Sequence, residues 1–243
     1  MLHLDRKRIL ITGAAVRVGR AMALAVARAG ADVMVHYGRS KKEARAVQAE
    51  IRELGAKCEI VQADLSKTEE AAGLVKKAEK TGELFGLVNS AAIFKDLEWD
   101  TTTPDDWQQH QDINLKAPFL LSQAFGRALQ KRGTQGRIVN ILDWRALRPG
   151  ADHLPYTISK AGLAGLTRSL ALSLAPHITV NGIAFGAILP PSDGGESSKV
   201  LEHVPAGRWA DLEEVGQTLL FLLSGPSYIT GEIIHLDGGR HLI

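Results

Sequence analysis

The chain has one cysteine, Cys58, in 243 residues. That excludes an internal disulfide and a multi-cysteine metal site, and it points to a reducing compartment. Net charge is small, since 29 Lys and Arg against 27 Asp and Glu leave +2. Such a balance argues against a dedicated nucleic-acid surface, even with a sequence pI near 8.7. Long apolar runs are missing as well. Arg28, Asp32 and Arg168 break the best candidates before they reach the roughly 18 residues a membrane span needs. The opening MLHLDRKRIL lacks the apolar core of a signal peptide. We therefore expect a cytoplasmic protein with neither a membrane nor a nucleic-acid partner. The eight histidines show no metal-ligand spacing, and Asp105-Asp106 and Glu213-Glu214 read as helix starts, so no metal is expected. Aromatics make up only 5% of the chain, against 24 glycines, so the position of each carries information.

What is present is a globular pattern, 45% hydrophobic and 23% charged. No Pro/Gly/Ser-rich linker and no fixed-period repeat divides it, which implies one domain over residues 1–243. Seven short β-like segments are read at Arg8–Thr12, Asp32–Tyr37, Lys57–Gln62, Gly86–Asn89, Arg137–Leu142, Ile178–Ile183 and Glu232–Leu236. Between them lie helical patterns at Gly19–Ala29, Lys41–Leu54, Thr68–Lys80, Pro104–Arg132, Tyr156–Leu174 and Leu212–Leu223. Alternation of this kind predicts an α/β fold, a doubly wound seven-stranded parallel sheet with helices on both faces. The irregular stretch from Phe185 to about Ala210, with Pro190-Pro191 and Gly194-Gly195, follows the sixth strand and reads as a substrate lid.

The segment RILITGAAVRVGRAMALAVARAG runs strand, glycine turn, helix, with Gly13 closing the strand and Gly19 opening the helix. A helix N-terminus presents free N–H groups and a positive dipole end, which suits a pyrophosphate. The second strand ends in His36, Tyr37, Gly38, Arg39 and Ser40, with no acid among them. A site for NAD places a carboxylate there on the ribose, whereas one for NADP places a cation near the 2′-phosphate. NADP(H) is the expected cofactor.

These motifs resemble the short-chain dehydrogenase/reductase family, over essentially the whole chain. They are Thr12-Gly13 with Gly19, then Asn89-Ser90-Ala91-Ala92, then Tyr156-Thr157-Ile158-Ser159-Lys160, and finally Leu236-Asp237-Gly238-Gly239. Three departures stand out: Arg17 replaces the middle glycine, Asp143 replaces the usual serine, and Phe94 follows Ala92 by two residues. Together they resemble the pteridine reductase branch, which includes dihydromonapterin- and dihydrofolate-reducing members. The resemblance implies a Rossmann-like fold, a homotetramer and a small-molecule, pterin-like substrate. It implies cofactor contacts from Gly13, Arg17, Val18 and Gly19, and from the His36–Ser40 run. Further contacts would come from Asp64 and Leu65, from Asn89, Ser90 and Ala91, from Tyr156 and Lys160, and from Gly186 and Ile188. The catalytic set would be Asp143, Tyr156, Lys160 and Asn114, with Asn114 holding a helix and a relay water. Arg17, Phe94, Asp143 and Tyr156 would hold the substrate. The tail Arg240-His241-Leu242-Ile243 could reach a neighbouring active site.

The residues themselves support part of this chemistry. Tyr156 and Lys160 are four apart in a helical pattern and so share a face. An ammonium beside a phenol favours the phenolate, which predicts a lowered tyrosine pKa and a proton donor near neutral pH. Asp143 ends an apolar strand, where a carboxylate can accept from the amino-amide edge of a pterin or pass a proton to a ring nitrogen through Tyr156. Two other readings are a carbonyl or alcohol oxidoreductase acting on a sugar, steroid or 3-oxoacyl substrate, and a dinucleotide-binding regulator without catalysis.

Overall fold

The computed structural model describes residues 4–190 and 200–243. Seven parallel strands form one sheet in the order β3-β2-β1-β4-β5-β6-β7. They are β1 (Arg8–Ile11), β2 (Asp32–Tyr37), β3 (Cys58–Gln62), β4 (Gly86–Asn89), β5 (Gly136–Asp143), β6 (Ile178–Phe185) and β7 (Ile233–Leu236). The connecting helices are α1 (Arg17–Arg28), α2 (Lys41–Glu53), α3 (Thr68–Ala78), α4 (Pro104–Gln111), α5 (Ala117–Arg132), α6 (Leu154–Leu174) and α7 (Leu212–Ser224). The doubly wound expectation is met.

Strand alternation explains why both sheet faces must be covered. Ile9, Ile11, Val33 and Val35 face one side and meet Met22 and Val26 of α1, Val47 and Ile51 of α2, and Leu219 and Leu223 of α7. Leu10, Met34, Leu87 and Ile138 face the other and meet Leu74 of α3 and Leu121, Phe125 and Leu129 of α5. A side-chain period of two therefore produces two apolar faces, and each needs its own helical layer. Because every strand is parallel, all seven carboxyl ends lie on one edge. The order reverses between β1 and β4, which opens a crevice at that edge.

Several boundaries differ from the sequence reading. The expected helix Pro104–Arg132 is α4 and α5 joined by a π-helical turn over Asp112–Lys116. Pro118 has no N–H to give the carbonyl of Asn114, so the regular ladder cannot pass through this point. Helix α6 starts two residues before Tyr156, with Pro155 in its first turn, where a missing N–H costs nothing. Strands β5 and β6 run on to Asp143 and Phe185 because these two residues pair with each other. Of the expected lid, residues 191–199, including Pro191, Gly194 and Gly195, lie outside the described residues.

Candidate active site

At the crevice, Gly13 has a left-handed φ of +65°, and a Cβ there would stand 2.9 Å from the Ala91 Cα. A Cβ on Gly19 would fall 2.1 Å from the Gly13 carbonyl oxygen, so the first turn of α1 closes on the strand end only with glycine at both positions. Thr12 ties β1 to β4, its hydroxyl oxygen accepting from the N–H groups of Ser90 and Ala91 at 2.9 and 3.0 Å. Arg17, the first residue of α1, is exposed with φ +51° and donates to the Pro190 carbonyl at 3.0 Å. Val18 packs partly against the core.

The end of β2 divides by side chain. Gly38 and Arg39 are exposed and Ser40 half-buried, while His36 and Tyr37 are buried. His36 and Tyr37, expected among the cofactor contacts, turn their side chains away from the crevice, so any contact there would come from their backbone. Tyr37 belongs to the core. The His36 Nδ1 accepts from the Gly13 N–H at 3.1 Å, and its Nε2 lies 3.0 Å from the Ala63 carbonyl, so the proton sits on Nε2 and neither nitrogen is free. Burial pushes this imidazole down to about 4, only partly offset by the Ala63 bond. His36 is thus a neutral strut between the glycine turn and the end of β3.

Asp64 accepts from the Ser66 hydroxyl and N–H at 2.7 and 3.0 Å, which hold its carboxyl below the usual range, with smaller help from Lys67 and Arg39. Leu65 and Ile188 place their side chains in the core rather than the crevice. A Cβ on Gly186 would lie 2.6 Å from the Asp237 Cα, so a glycine lets β6 leave close against the end of β7. Asn89 also points inward. It donates to the Asn140 Oδ1 at 2.8 Å, and Asn140 donates to the Thr167 hydroxyl at 2.9 Å, a buried polar chain linking β4, β5 and α6. Asn140 and Thr167 escaped the sequence reading, although a lone amide inside the apolar run RIVNILD was a signal. The remaining surface fits a dinucleotide phosphate, because tight glycines bring backbone close and the exposed Arg39 faces no competing acid from its own strand end.

The proton-handling residues converge at the ends of β5 and α6. The Tyr156 hydroxyl donates to the Asp143 Oδ2 at 3.2 Å, and the Asp143 Oδ1 accepts from the Arg145 N–H at 2.9 Å. Lys160, buried, donates its Nζ proton to the Ile141 carbonyl at 2.7 Å and lies 5.7 Å from the centre of the Tyr156 ring. The expected lowering of the tyrosine pKa is therefore overturned. Burial comes first, then the negative charge of Asp143 and the hydrogen bond to it, and together they hold the phenol well above its ordinary value. Lys160 is itself pushed down to about 8 by burial, partly countered by Asp143. The Asn114 amide donates to the Ile93 carbonyl and the Ser159 hydroxyl and accepts from the Ile93 N–H, so its side chain clamps the loop after β4 to α6. Ser159, inside the Tyr156–Lys160 spacing, carries no sequence signal of this role and accepts from Asn114 while donating to the Tyr156 carbonyl.

Around this pair stands an aromatic wall. Phe94, 54% exposed, meets Tyr156 edge-on at 4.6 Å and stacks on His153 at 4.0 Å, which leaves the rest of its ring open. His153 holds φ +52° just before α6. Arg145 pairs with Asp152 at 2.6 Å and lies 4.9 Å from the Trp144 ring centre. On the same ring, at 4.5 Å, sits Arg240 of this same chain's tail. Phe94, Asp143, Tyr156 and Lys160 are thus brought together, whereas Arg17, also expected at the substrate, bonds to the Pro190 carbonyl and to none of these four. Arg145, Trp144 and His153 join them, and only the tertiary fold reveals these.

Comparison with known proteins shows what the chain as a whole is similar to. The family described as enoyl-(acyl carrier protein) reductase matches residues 13–241. A 3-oxoacyl-[acyl-carrier-protein] reductase of Synechocystis is 34% identical over 98% of both chains. Among solved structures, the FolM alternative dihydrofolate reductase 1 of Brucella canis, complexed with NADP, is 35% identical with a TM-score of 0.89, over 98% of this chain and 95% of that one. A gluconate 5-dehydrogenase of Burkholderia cenocepacia, in complex with NADP and tartrate, is 27% identical with a TM-score of 0.92, over 99% and 97%.

Proposed function

The chain belongs to the short-chain dehydrogenase/reductase family, and within it we propose an NADPH-dependent reductase acting on a C=N bond of a pterin or dihydrofolate-like ring. The observation that carries this reading is the hydrogen bond from Tyr156 to Asp143, where a serine hydroxyl would serve a simple carbonyl substrate. NADPH, when bound, supplies the hydride. The likeness to structures holding NADP supports that choice, as does the acid-free end of β2 with Arg39 exposed.

The chain's own residues handle ring and proton. Burial and then Asp143 keep the Tyr156 phenol protonated across the neutral range, and Asp143 aims it; a ring nitrogen arriving beside the pair takes the Tyr156 proton. The buried Lys160 ammonium then offsets the charge left on the phenolate. Phe94 supplies a flat wall for the ring, and Arg17, at the mouth of the glycine turn, is assigned to phosphate and ring on exchanging its Pro190 contact for them. The full site assignment is part of this proposal, as are a cytoplasmic setting and a homotetramer packed through α6, whose Ile158 and Leu172 are exposed. No helix among the described residues is long and apolar enough to cross a membrane.

A 3-oxoacyl thioester reductase is the second reading, favoured by the 34% identity to the Synechocystis enzyme. One screen separates the two: NADPH oxidation with dihydropterins, dihydrofolate, quinonoid dihydropteridine, a 3-oxoacyl thioester and a set of ketones. Turnover of the pterins is expected. Turnover of the thioester or a ketone, with none for any pterin, would overturn the proposal.

A further inference from the structure

We infer that the substrate carries an anionic tail and that Arg240, laid on Trp144, is the subsite that binds it. The inference rests on the reading above for the ring but not for the tail. Phe94, Arg145, Trp144 and Arg240 form a continuous stack leading away from Asp143. The Arg145 guanidinium carbon is 6.0 Å from the Phe94 ring centre and 4.9 Å from that of Trp144, and Arg240 covers Trp144 at 4.5 Å. The two arginines differ in their partners. Arg145 is neutralised by Asp152 at 2.6 Å and Asp143 at 3.6 Å. Arg240 forms no ion pair among the described residues, and its Nε is buried without a hydrogen-bond partner.

The acid nearest to it in sequence does not supply one. Asp237 gives Oδ1 to the Gly239 N–H, and Oδ2 to the N–H and Nδ1 of His241. Partial burial first and the like charge of Arg145 second push the Arg240 pKa down, against a smaller opposing pull from Asp143, Asp152 and Asp237, none of which is close enough to pair with it. A guanidinium resting against an aromatic ring can still offer its outer donors to a carboxylate.

Its position matches the chemistry. If Tyr156 delivers its proton to the nitrogen of the reduced C=N bond, a substituent on or next to the carbon of that bond leaves the ring on the same side. Trp144 directly follows Asp143, whose carboxylate holds the Tyr156 hydroxyl, so a substituent leaving on the Asp143 side would meet it. A substrate with a benzoylglutamate tail would lay its aryl group near Trp144 and set a carboxylate against Arg240. A tail-less dihydropterin would leave that cation unpaired.

The experiment compares kcat/KM for dihydrofolate and for 6-methyl-dihydropterin in the native enzyme, in Arg240→Gln and in Arg240→Lys. In parallel, p-aminobenzoylglutamate and the neutral p-aminobenzamide are titrated against the same proteins by calorimetry. The preference for the tailed substrate should fall about ten- to hundredfold in Arg240→Gln, mostly through KM, and recover in part in Arg240→Lys. The benzoylglutamate should bind the native protein and lose affinity in step. An unchanged preference, or equal binding of the charged and neutral probes, would overturn the subsite while leaving pterin reduction intact. Arg240-dependent binding of benzoylglutamate without turnover of any pterin would keep the subsite and discard the ring assignment.

Discussion

His36 should make this protein lose stability in mild acid, by an amount its environment sets. Its ring is 2% exposed and joined at both nitrogens to backbone, Nδ1 accepting from Gly13 and Nε2 donating to Ala63. Protonation would put a second N–H opposite the Gly13 N–H, in a place closed to bulk solvent. The imidazole therefore titrates near 6.5 in the unfolded chain and at about 4 in the folded one. A base with a depressed folded pKa contributes nothing unfavourable above the unfolded value, and its cost grows as pH falls from there to the folded value. The full difference is about 3 kcal/mol, of which about 2 kcal/mol has accumulated by roughly pH 5. His36→Asn removes the titration, while its amide oxygen can still accept from Gly13. The variant should be less stable by about 1 kcal/mol at neutral pH, where it lacks the Ala63 bond. Urea unfolding from about pH 7.5 to pH 5 should show the two proteins converging and then crossing, since every other titrating group is common to both. Parallel curves would show that His36 is not held neutral, and the strut between the glycine turn and β3 would have to be given up.

Other outcomes follow from the same geometry. Arg39→Ala should weaken NADPH by roughly 1.5–3 kcal/mol and NADH far less, as measured by fluorescence titration; equal losses would remove Arg39 from the 2′-phosphate. Tyr156→Phe should abolish turnover while cofactor binding stays nearly intact, whereas retained turnover would mean another proton donor. Asp143→Ser should lower pterin reduction and, by removing the neighbouring charge, bring the alkaline limb of the pH–rate profile to lower pH. An unmoved limb would refute the electrostatic coupling. Arg17→Gly should relieve the left-handed backbone and raise stability by up to about 1 kcal/mol, while raising KM for the ring substrate. A loss of stability would mean that the Pro190 contact outweighs the strain.

The periodicity of the chain was a sound guide wherever one element answers to one pattern. Apolar strands with a two-residue alternation and helices of sufficient length leave few alternatives to a parallel sheet covered on both faces. It was a poorer guide at Asn114, where a proline four residues on rather than any loss of hydrophobic pattern splits one long helix by a π-helical turn. At the site, the Tyr156–Lys160 spacing and the position of Asp143 were legible because they lie on single elements. The polar chain from Asn89 through Asn140 to Thr167 was not, since it joins residues far apart in sequence.

Sequence alone determined the fold class, the family, the basic end of β2 and the identity of the residues at the strand ends, because local pattern and strand polarity are enough to place each at the carboxyl edge. Only the tertiary structure decided the protonation chemistry. Four residues of helix bring Lys160 to the same face as Tyr156, which suggested that its charge sets the phenol. Folding instead aims the ammonium at the Ile141 carbonyl and the hydroxyl at Asp143. Electrostatic influence depends on distance and burial in three dimensions, so a carboxylate 13 positions away outweighs a cation one turn along. In the same way the fold alone shows that the His36 side chain is a neutral strut, and Arg240 reads as a tail residue until Trp144 is seen beneath it.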